Sequence, residues 1–332
     1  MTRALITGGA GFIGSHLSEA LLEGGHEVTI IDDLSTGRFE NISPLTDHPR
    51  FHFAIETITN TNVMDRLVSE CDIVYHLAAA VGVDLIVSSP IRVIETNVRG
   101  TDIVLKTARR YRKKVMIAST SEIYGKSNDS PFSEDADRIL GATTKSRWSY
   151  STSKALDEFL ALAYHKETNL PVTIFRLFNT VGPRQQGRYG MVIPRFVGWA
   201  LAGVPIQVYG DGRQSRCFAN VSDVVRAIVA LAECEEAVGQ VFNIGTQEEI
   251  TILDLAYRVK ERVGSPSEII LVPYNEAYET GFEDMQRRVP DTEKIKRVIG
   301  WEPQRSLNET LDEIIRYFRG QQASDSPPVL SE

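Results

Sequence analysis

The stretch Leu5 to Leu17, "LITGGAGFIGSHL", limits the choice of fold more than any other part of the chain. Gly8, Gly11 and Gly14 follow an apolar, β-branched run and open an amphipathic segment, so the pattern reads strand, tight glycine turn, helix. Glycine lets such a turn bring its backbone close to a pyrophosphate, whose charge a helix N-terminus favours. The next apolar run, "EVTIIDDL", ends in Asp32 and Asp33. A carboxylate there accepts the hydroxyls of an adenine ribose and repels a 2′-phosphate, which points to NAD over NADP. Phe12 and Ile13 stand within the turn and open the helix, and they join the expected cofactor contacts.

The alternation continues. "DIVYHLA", "KVMIAST" and "VTIFRLF" read as strands, with "PIRVIETNVRGTDIVLKTARRY" and the segment from Tyr150 as helices between them. Strands alternating with helices predict an α/β fold, a Rossmann-type doubly wound parallel sheet covered on both faces. Small residues after "YHL", Ala78 to Ala80, would let a cofactor pass close to the backbone, and Leu77, Ala78 and Ala79 join the expected cofactor contacts. From about Asn179 the loops become rich in Gly, Arg and polar residues. The expected organisation is a cofactor-binding domain over 1–178 and a smaller, interleaved α/β substrate lobe over 179–320. A disordered tail over 321–332 completes it.

Composition removes several classes of function. A net charge of −8 over 332 residues leaves no basic face for nucleic acid. Cys71, Cys217 and Cys234 form no CxxC pair, and the six histidines show no paired ligand spacing, so no metal is expected. No apolar run is long enough to span a bilayer, and "MTRALITGG" carries no secretory pattern, so the expected location is cytoplasmic.

In "RWSYSTSKALDEF", Tyr150 and Lys154 stand four positions apart, on one face of a helix. An ammonium near a phenol favours phenolate and makes it a general base. A nicotinamide that takes hydride from carbon needs such a base for the hydroxyl proton. "ASTSEIYG" supplies Ser119, Thr120 and Ser121 at a strand end, where ligands sit in doubly wound sheets.

Taken together, "TGGAGFIG", "HLAA", "NVRGT", "STSEIYG", "YSTSK", "RLFNTVGPR", "GDGRQSRCF" and "RRVPD" resemble the extended short-chain dehydrogenase/reductases that act on nucleotide sugars. The resemblance spans roughly Thr2 to Trp301. It implies that Tyr150 takes the proton of the sugar 4-hydroxyl while C4 gives hydride to NAD, that Lys154 holds the nicotinamide ribose, and that Thr120 is the catalytic hydroxyl. It implies that Asn97 supports the central strands and also joins the cofactor contacts, that Arg216 and Arg288 clamp the pyrophosphate of the substrate, and that Asn179, Arg184 and Arg188 contact substrate as well. It also implies a homodimer built from the helices around Val93 to Tyr111 and Tyr150 to His165.

The fate of the 4-keto sugar depends on other residues. Ser121 stands where dehydratases of this kind carry aspartate, which disfavours dehydration. Glu122 and the segment "EDMQRRVPD" resemble UDP-glucuronate decarboxylases. The loop "AAAVGVDLIVSSP" replaces the proline- and tyrosine-containing loop of those decarboxylases, and "YSTSK" and "GPRQ" look more like epimerases. The expected activity is therefore UDP-sugar 4-epimerisation, with UDP-glucuronate decarboxylation as the alternative. A 4,6-dehydratase and a non-catalytic NAD-binding scaffold stand behind both. A scaffold would have little use for Tyr150, Lys154 and Thr120 together.

Overall fold

A computed structural model describes residues 1–82, 89–127, 130–187, 191–277 and 285–324. Seven strands form one parallel sheet: β1 (Arg3–Thr7), β2 (Glu27–Asp32), β3 (Phe51–Ile55), β4 (Ile73–His76), β5 (Lys114–Thr120), β6 (Val172–Leu177) and β7 (Val241–Ile244). Their order across the sheet is β7-β6-β5-β4-β1-β2-β3. The chain winds outward from β1 to β3, returns to place β4 on the other side of β1, and winds outward again. The reversal opens a crevice at the carboxyl ends of β1 and β4, the place where open α/β sheets bind ligands.

Both faces of the sheet are covered, and the strand alternation shows it. On β1, Ala4 and Ile6 join the layer formed with Leu17 and Leu21 of α1 (Phe12–Glu23) and Val224 and Ile228 of α6 (Val221–Glu233). Leu5 points the other way, into the layer of Met64 and Leu67 of α2 (Thr61–Glu70) and Val104 and Ala108 of α3 (Gly100–Tyr111). This two-sided burial is why the strands read as continuous apolar runs. Each fully buried Leu or Ile contributes roughly 1.5–3 kcal/mol.

Helix α4 (Arg147–Thr168) carries the Tyr150 segment. Its inner face places Tyr150, Lys154, Asp157 and Ala161 against the sheet, all buried, while Leu156 and Phe159 are exposed on its outer face. Ahead of α3, a π-helical turn over Glu95–Arg99 contains Asn97.

The second lobe gathers α5 (Val192–Ala202), α7 (Ile252–Val263) and the first part of α8 (Leu307–Ser324) around its own apolar core. It adds a parallel pair, Ile206–Tyr209 with Ile269–Val272, and a three-stranded sheet in which Ser215–Cys217 is central. The chain passes between the lobes more than once: α6 packs on α1, and β7 pairs with β6 in the main sheet. Helix α8 continues through Ser324, into the stretch the sequence reading assigns to the tail; residues 325–332 lie outside those described. Among the described residues, no helix is long and apolar enough to cross a membrane.

Candidate active site

A cleft of about 490 Å³ runs from the glycine turn after β1, past the ends of β4 and β5, to the second lobe. Gly8, Gly11, Phe12, Ile13, Gly14, Asp32, Asp33, Leu77, Ala78 and Ala79 line its first half. The turn is drawn in tightly. Gly8 has φ +73°, and a Cβ on it would stand 2.9 Å from Ala78 Cα. A Cβ on Gly14 would run into the Gly8 carbonyl oxygen. No side chain caps the N-terminus of α1, so its first amides are left to the cleft. Asp32 closes the turn from β2: its carboxylate accepts the N–H of Ala10 at 3.0 Å and of Leu34 at 2.8 Å. Burial pushes its carboxyl above the ordinary range, and these backbone donors pull it back. Uncapped amides, closely approaching backbone and a ribose-height carboxylate fit the pyrophosphate and adenosine ribose of NAD.

The middle of the cleft brings together the residues expected to carry the chemistry. Thr120 ends β5 and its Oγ1 accepts the Glu122 N–H at 3.2 Å, which fixes the adjoining turn. Thr120, Ser121, Glu122, Tyr150 and Lys154 all line the cleft. Arg288 comes from the short strand Arg287–Arg288, whose neighbour is Ser215–Cys217. Its Nη1 lies 3.6 Å from Glu122 Oε1 and 3.4 Å from Ser121 Oγ. Arg216 is buried on the adjacent strand and donates from Nη1 to the Ser215 carbonyl at 2.7 Å. Asn179 lines the same region and donates from Nδ2 to the Cys217 carbonyl at 2.9 Å.

Two residues are held by partners of their own, and one falls outside the described chain. Asn97 stands behind the cleft wall instead of on it. Its Oδ1 accepts the Ala80 N–H at 2.8 Å and its Nδ2 donates to Ser153 Oγ at 3.2 Å, tying the loop after β4 to α4. Arg184 reaches the wall, but its Nη2 pairs with Glu19 on α1, so it bridges the lobes before it meets any substrate. Arg188 lies outside the described residues, as does most of the loop after Ala80, at 83–88.

The sequence reading missed the far wall. The Arg195 guanidinium stands 5.0 Å from the ring centroids of both Trp199 and Tyr209. Phe196, Gln207 and Tyr274 line the cleft beside them. The only local signal was the i, i+4 spacing of Arg195 and Trp199, and helices carry such pairs for many reasons. Also missed was the buried set behind Lys154. Lys154 Nζ lies 2.8 Å from Asp157 Oδ2, and the two side chains are 2% and 1% exposed. Beyond them, His76 is held between Thr7 and Thr101, and burial drives its pKa down to about 3.

The family model described as GDP-mannose 4,6 dehydratase matches residues 5–314. The chain belongs to the extended short-chain dehydrogenase/reductases of the nucleotide-sugar epimerase and dehydratase family. Among family members, a UDP-N-acetyl-alpha-D-glucosaminuronate decarboxylase from Bacillus cytotoxicus is 45% identical over 318 residues, 96% of this chain and 98% of that protein. UDP-glucuronic acid decarboxylase 1 from Xenopus tropicalis is 38% identical, over 96% of this chain and 72% of that protein. A solved UDP-glucuronic acid 4-epimerase from Bacillus cereus, in complex with UDP-glucuronic acid and NAD, superposes with a TM-score of 0.86 at 30% identity. The superposition covers 96% of this chain and 99% of the other. Within this family, then, both outcomes foreseen from the sequence occur among proteins similar to this one.

Proposed function

We propose that this family member is an NAD-dependent UDP-hexuronate decarboxylase. Arg288 carries the proposal. Its guanidinium stands at Glu122 and Ser121, beside Thr120 and Tyr150, and it comes from the "EDMQRRVPD" segment that already pointed to decarboxylation. The curated decarboxylase relatives support the same choice. This puts the alternative reading of the sequence ahead of the 4-epimerase reading. Of the loop that departs from the decarboxylase pattern, residues 83–88 lie outside those described.

When bound, NAD would supply a reversible hydride acceptor for C4. Gly8, Gly11, Gly14 and Asp32 would hold it, with Lys154 at the nicotinamide ribose. Tyr150 accepts the 4-hydroxyl proton as the C4–H bond breaks, and Thr120 holds the oxygen that becomes the ketone. A C6 carboxylate is then β to that ketone, so the C5–C6 electron pair can pass toward the carbonyl as CO2 leaves. Arg288 and Glu122 form a nearly dry ion pair, with side chains 10% and 14% exposed. An incoming carboxylate competes with Glu122 for the guanidinium; departure of neutral CO2 restores the pair. C5 takes up a proton from solvent in place of the lost carboxylate, and Tyr150 returns its own to the C4 oxygen as C4 is reduced.

A homodimer is part of the proposal. Leu156 and Phe159 on the outer face of α4 are 49% and 65% exposed, and Ile91 and Ile94 on the neighbouring helical turn are 73% and 43% exposed. A second copy would cover this apolar face.

The test is product analysis by anion exchange and mass spectrometry with UDP-glucuronate, UDP-N-acetylglucosaminuronate and UDP-glucose. A product lighter by CO2 from either uronate supports the proposal. A product of unchanged mass from any of the three returns the 4-epimerase reading to first place.

A further inference from the structure

We infer that Asp157 is a positioning residue for the reaction: its carboxylate keeps the buried Lys154 ammonium charged and fixed on the face of α4 that carries Tyr150. The inference rests on the reading of Tyr150 as the base and Lys154 as its cationic partner, whichever product forms.

The three residues are at i, i+4 and i+7, so one helix face presents them in a row. Lys154 Nζ donates to Asp157 Oδ2 at 2.8 Å in a site almost closed to water. An ammonium in such a place without a counter-charge gives up its proton rather than remain charged. A neutral amine would no longer favour phenolate, so the counter-charge is a condition of the chemistry.

The surrounding groups single out Asp157 for this task. Glu158 on the same helix is also buried, but it is matched already. Arg176 of β6 donates to it twice, from Nε at 3.0 Å and Nη2 at 2.7 Å, and Ser119 Oγ of β5 donates to it as well. Glu122, after β5, faces Arg288. From β4, His76 is held neutral by burial and adds no second positive charge. Asp157 is left as the anion for Lys154. Burial pushes its carboxyl above the ordinary range, while Lys154 and the Thr101 hydroxyl act in the opposite direction; Lys154 holds Oδ2, and among the described residues the buried Oδ1 has no hydrogen-bond partner. Thr101 Oγ1 lies 2.9 Å from His76 Nε2, and His76 Nδ1 lies 2.8 Å from Thr7 Oγ1. Thr7 Oγ1 accepts the Ala78 N–H at 3.2 Å. A buried chain of hydrogen bonds thus runs from the cleft-lining backbone at Ala78 through Thr7 and His76 to Thr101.

The experiment is an NMR titration of the purified full chain labelled at lysine 13Cε, with the Lys154 signal identified by its loss in Lys154→Arg. In Asp157→Asn the Lys154 signal is expected to titrate at lower pH than in the wild type, and Asp157→Glu to restore it. Thr101→Val, which changes no charge, should move it the same way by less, and it keeps the test available if Asp157→Asn does not fold. The acid limb of turnover should move to higher pH in Asp157→Asn, with about a tenfold loss of rate on that limb for each unit moved. An unmoved Lys154 titration in both Asp157→Asn and Thr101→Val overturns the inference. A moved titration with an unmoved acid limb would leave Asp157 as the counter-charge of Lys154 and remove Tyr150 as the group that uses it.

Discussion

Arg288 lies 167 residues along the chain from Ser121, yet its Nη1 comes within 3.4 Å of the Ser121 hydroxyl and 3.6 Å of the Glu122 carboxylate. The second lobe delivers one side chain to the end of β5, and under the proposed function that delivery would make a carboxylate site beside the C4 oxidation site. Arg288→Gln is expected to lower kcat/KM for a UDP-hexuronate by roughly 30- to 150-fold. That is the loss of one charge-assisted interaction worth about 2–3 kcal/mol. Arg288→Lys should recover little, because a point charge does not reproduce a planar fork of donors. Steady-state kinetics of both variants checks this, and an Arg288→Gln enzyme with wild-type kcat/KM would remove Arg288 from the site.

Tyr150→Phe removes the phenol and leaves the ring in its buried place on α4. Turnover should fall by about 10²- to 10⁴-fold, the usual contribution of a positioned base. Binding of NAD, followed by calorimetry, should change little, since Gly8, Gly14 and Asp32 are untouched. Loss of binding along with turnover would mean that the residue supports the cleft and not the proton transfer.

The fold was legible because its signals are local. A buried parallel strand must be apolar on both faces, and the Gly8–Gly14 turn has few other uses, so β1, α1 and β2 could be placed from spacing alone. Tyr150 and Lys154 were legible for the same reason, being one helical turn apart. What escaped the sequence reading depends on contacts made at long range. Nothing in "SKALDEF" distinguishes Asp157, beneath Lys154, from Glu158, which Arg176 holds. Arg184 sits in a loop motif that promised a substrate contact, but only the folded chain shows Glu19 waiting on α1. Asn97 was read both as a cofactor contact and as a support; its bonds to Ala80 and Ser153 give it the second role.

Asp32 accepts two backbone N–H groups, so its carboxylate shapes the turn as well as the ribose site. Asp32→Asn keeps a single amide oxygen as acceptor and loses the charge. NAD affinity should fall by about tenfold, close to the worth of one hydrogen bond to a charged group, and discrimination against NADP should narrow. Calorimetric titration with both cofactors measures it. An unchanged NAD to NADP preference would show that selection lies elsewhere in the cleft.

His76 gives the fold a definite response to acid. Its ring is 1% exposed between Thr7 and Thr101, and burial first, then the Lys154 charge, lowers its pKa to about 3. An unfolded chain binds a proton there near pH 6.5, whereas the folded chain does not until about pH 3. The folded pKa is depressed for a base, so the contribution to stability is complete above pH 6.5 and is lost as the pH falls through that window. The slope is about 1.4 kcal/mol per pH unit, so acidification from pH 7.5 to 5.0 should cost about 2 kcal/mol through this residue. Urea unfolding at the two pH values, in the wild type and in His76→Gln, isolates the effect, because other titrating groups act on both proteins alike. The variant should start less stable, having lost its fit between two hydroxyls, but its stability should fall by about 2 kcal/mol less on acidification. Equal falls in the two proteins would mean that the His76 ring takes up its proton in the folded state, and that a cation can stand beside Lys154 without opening the core.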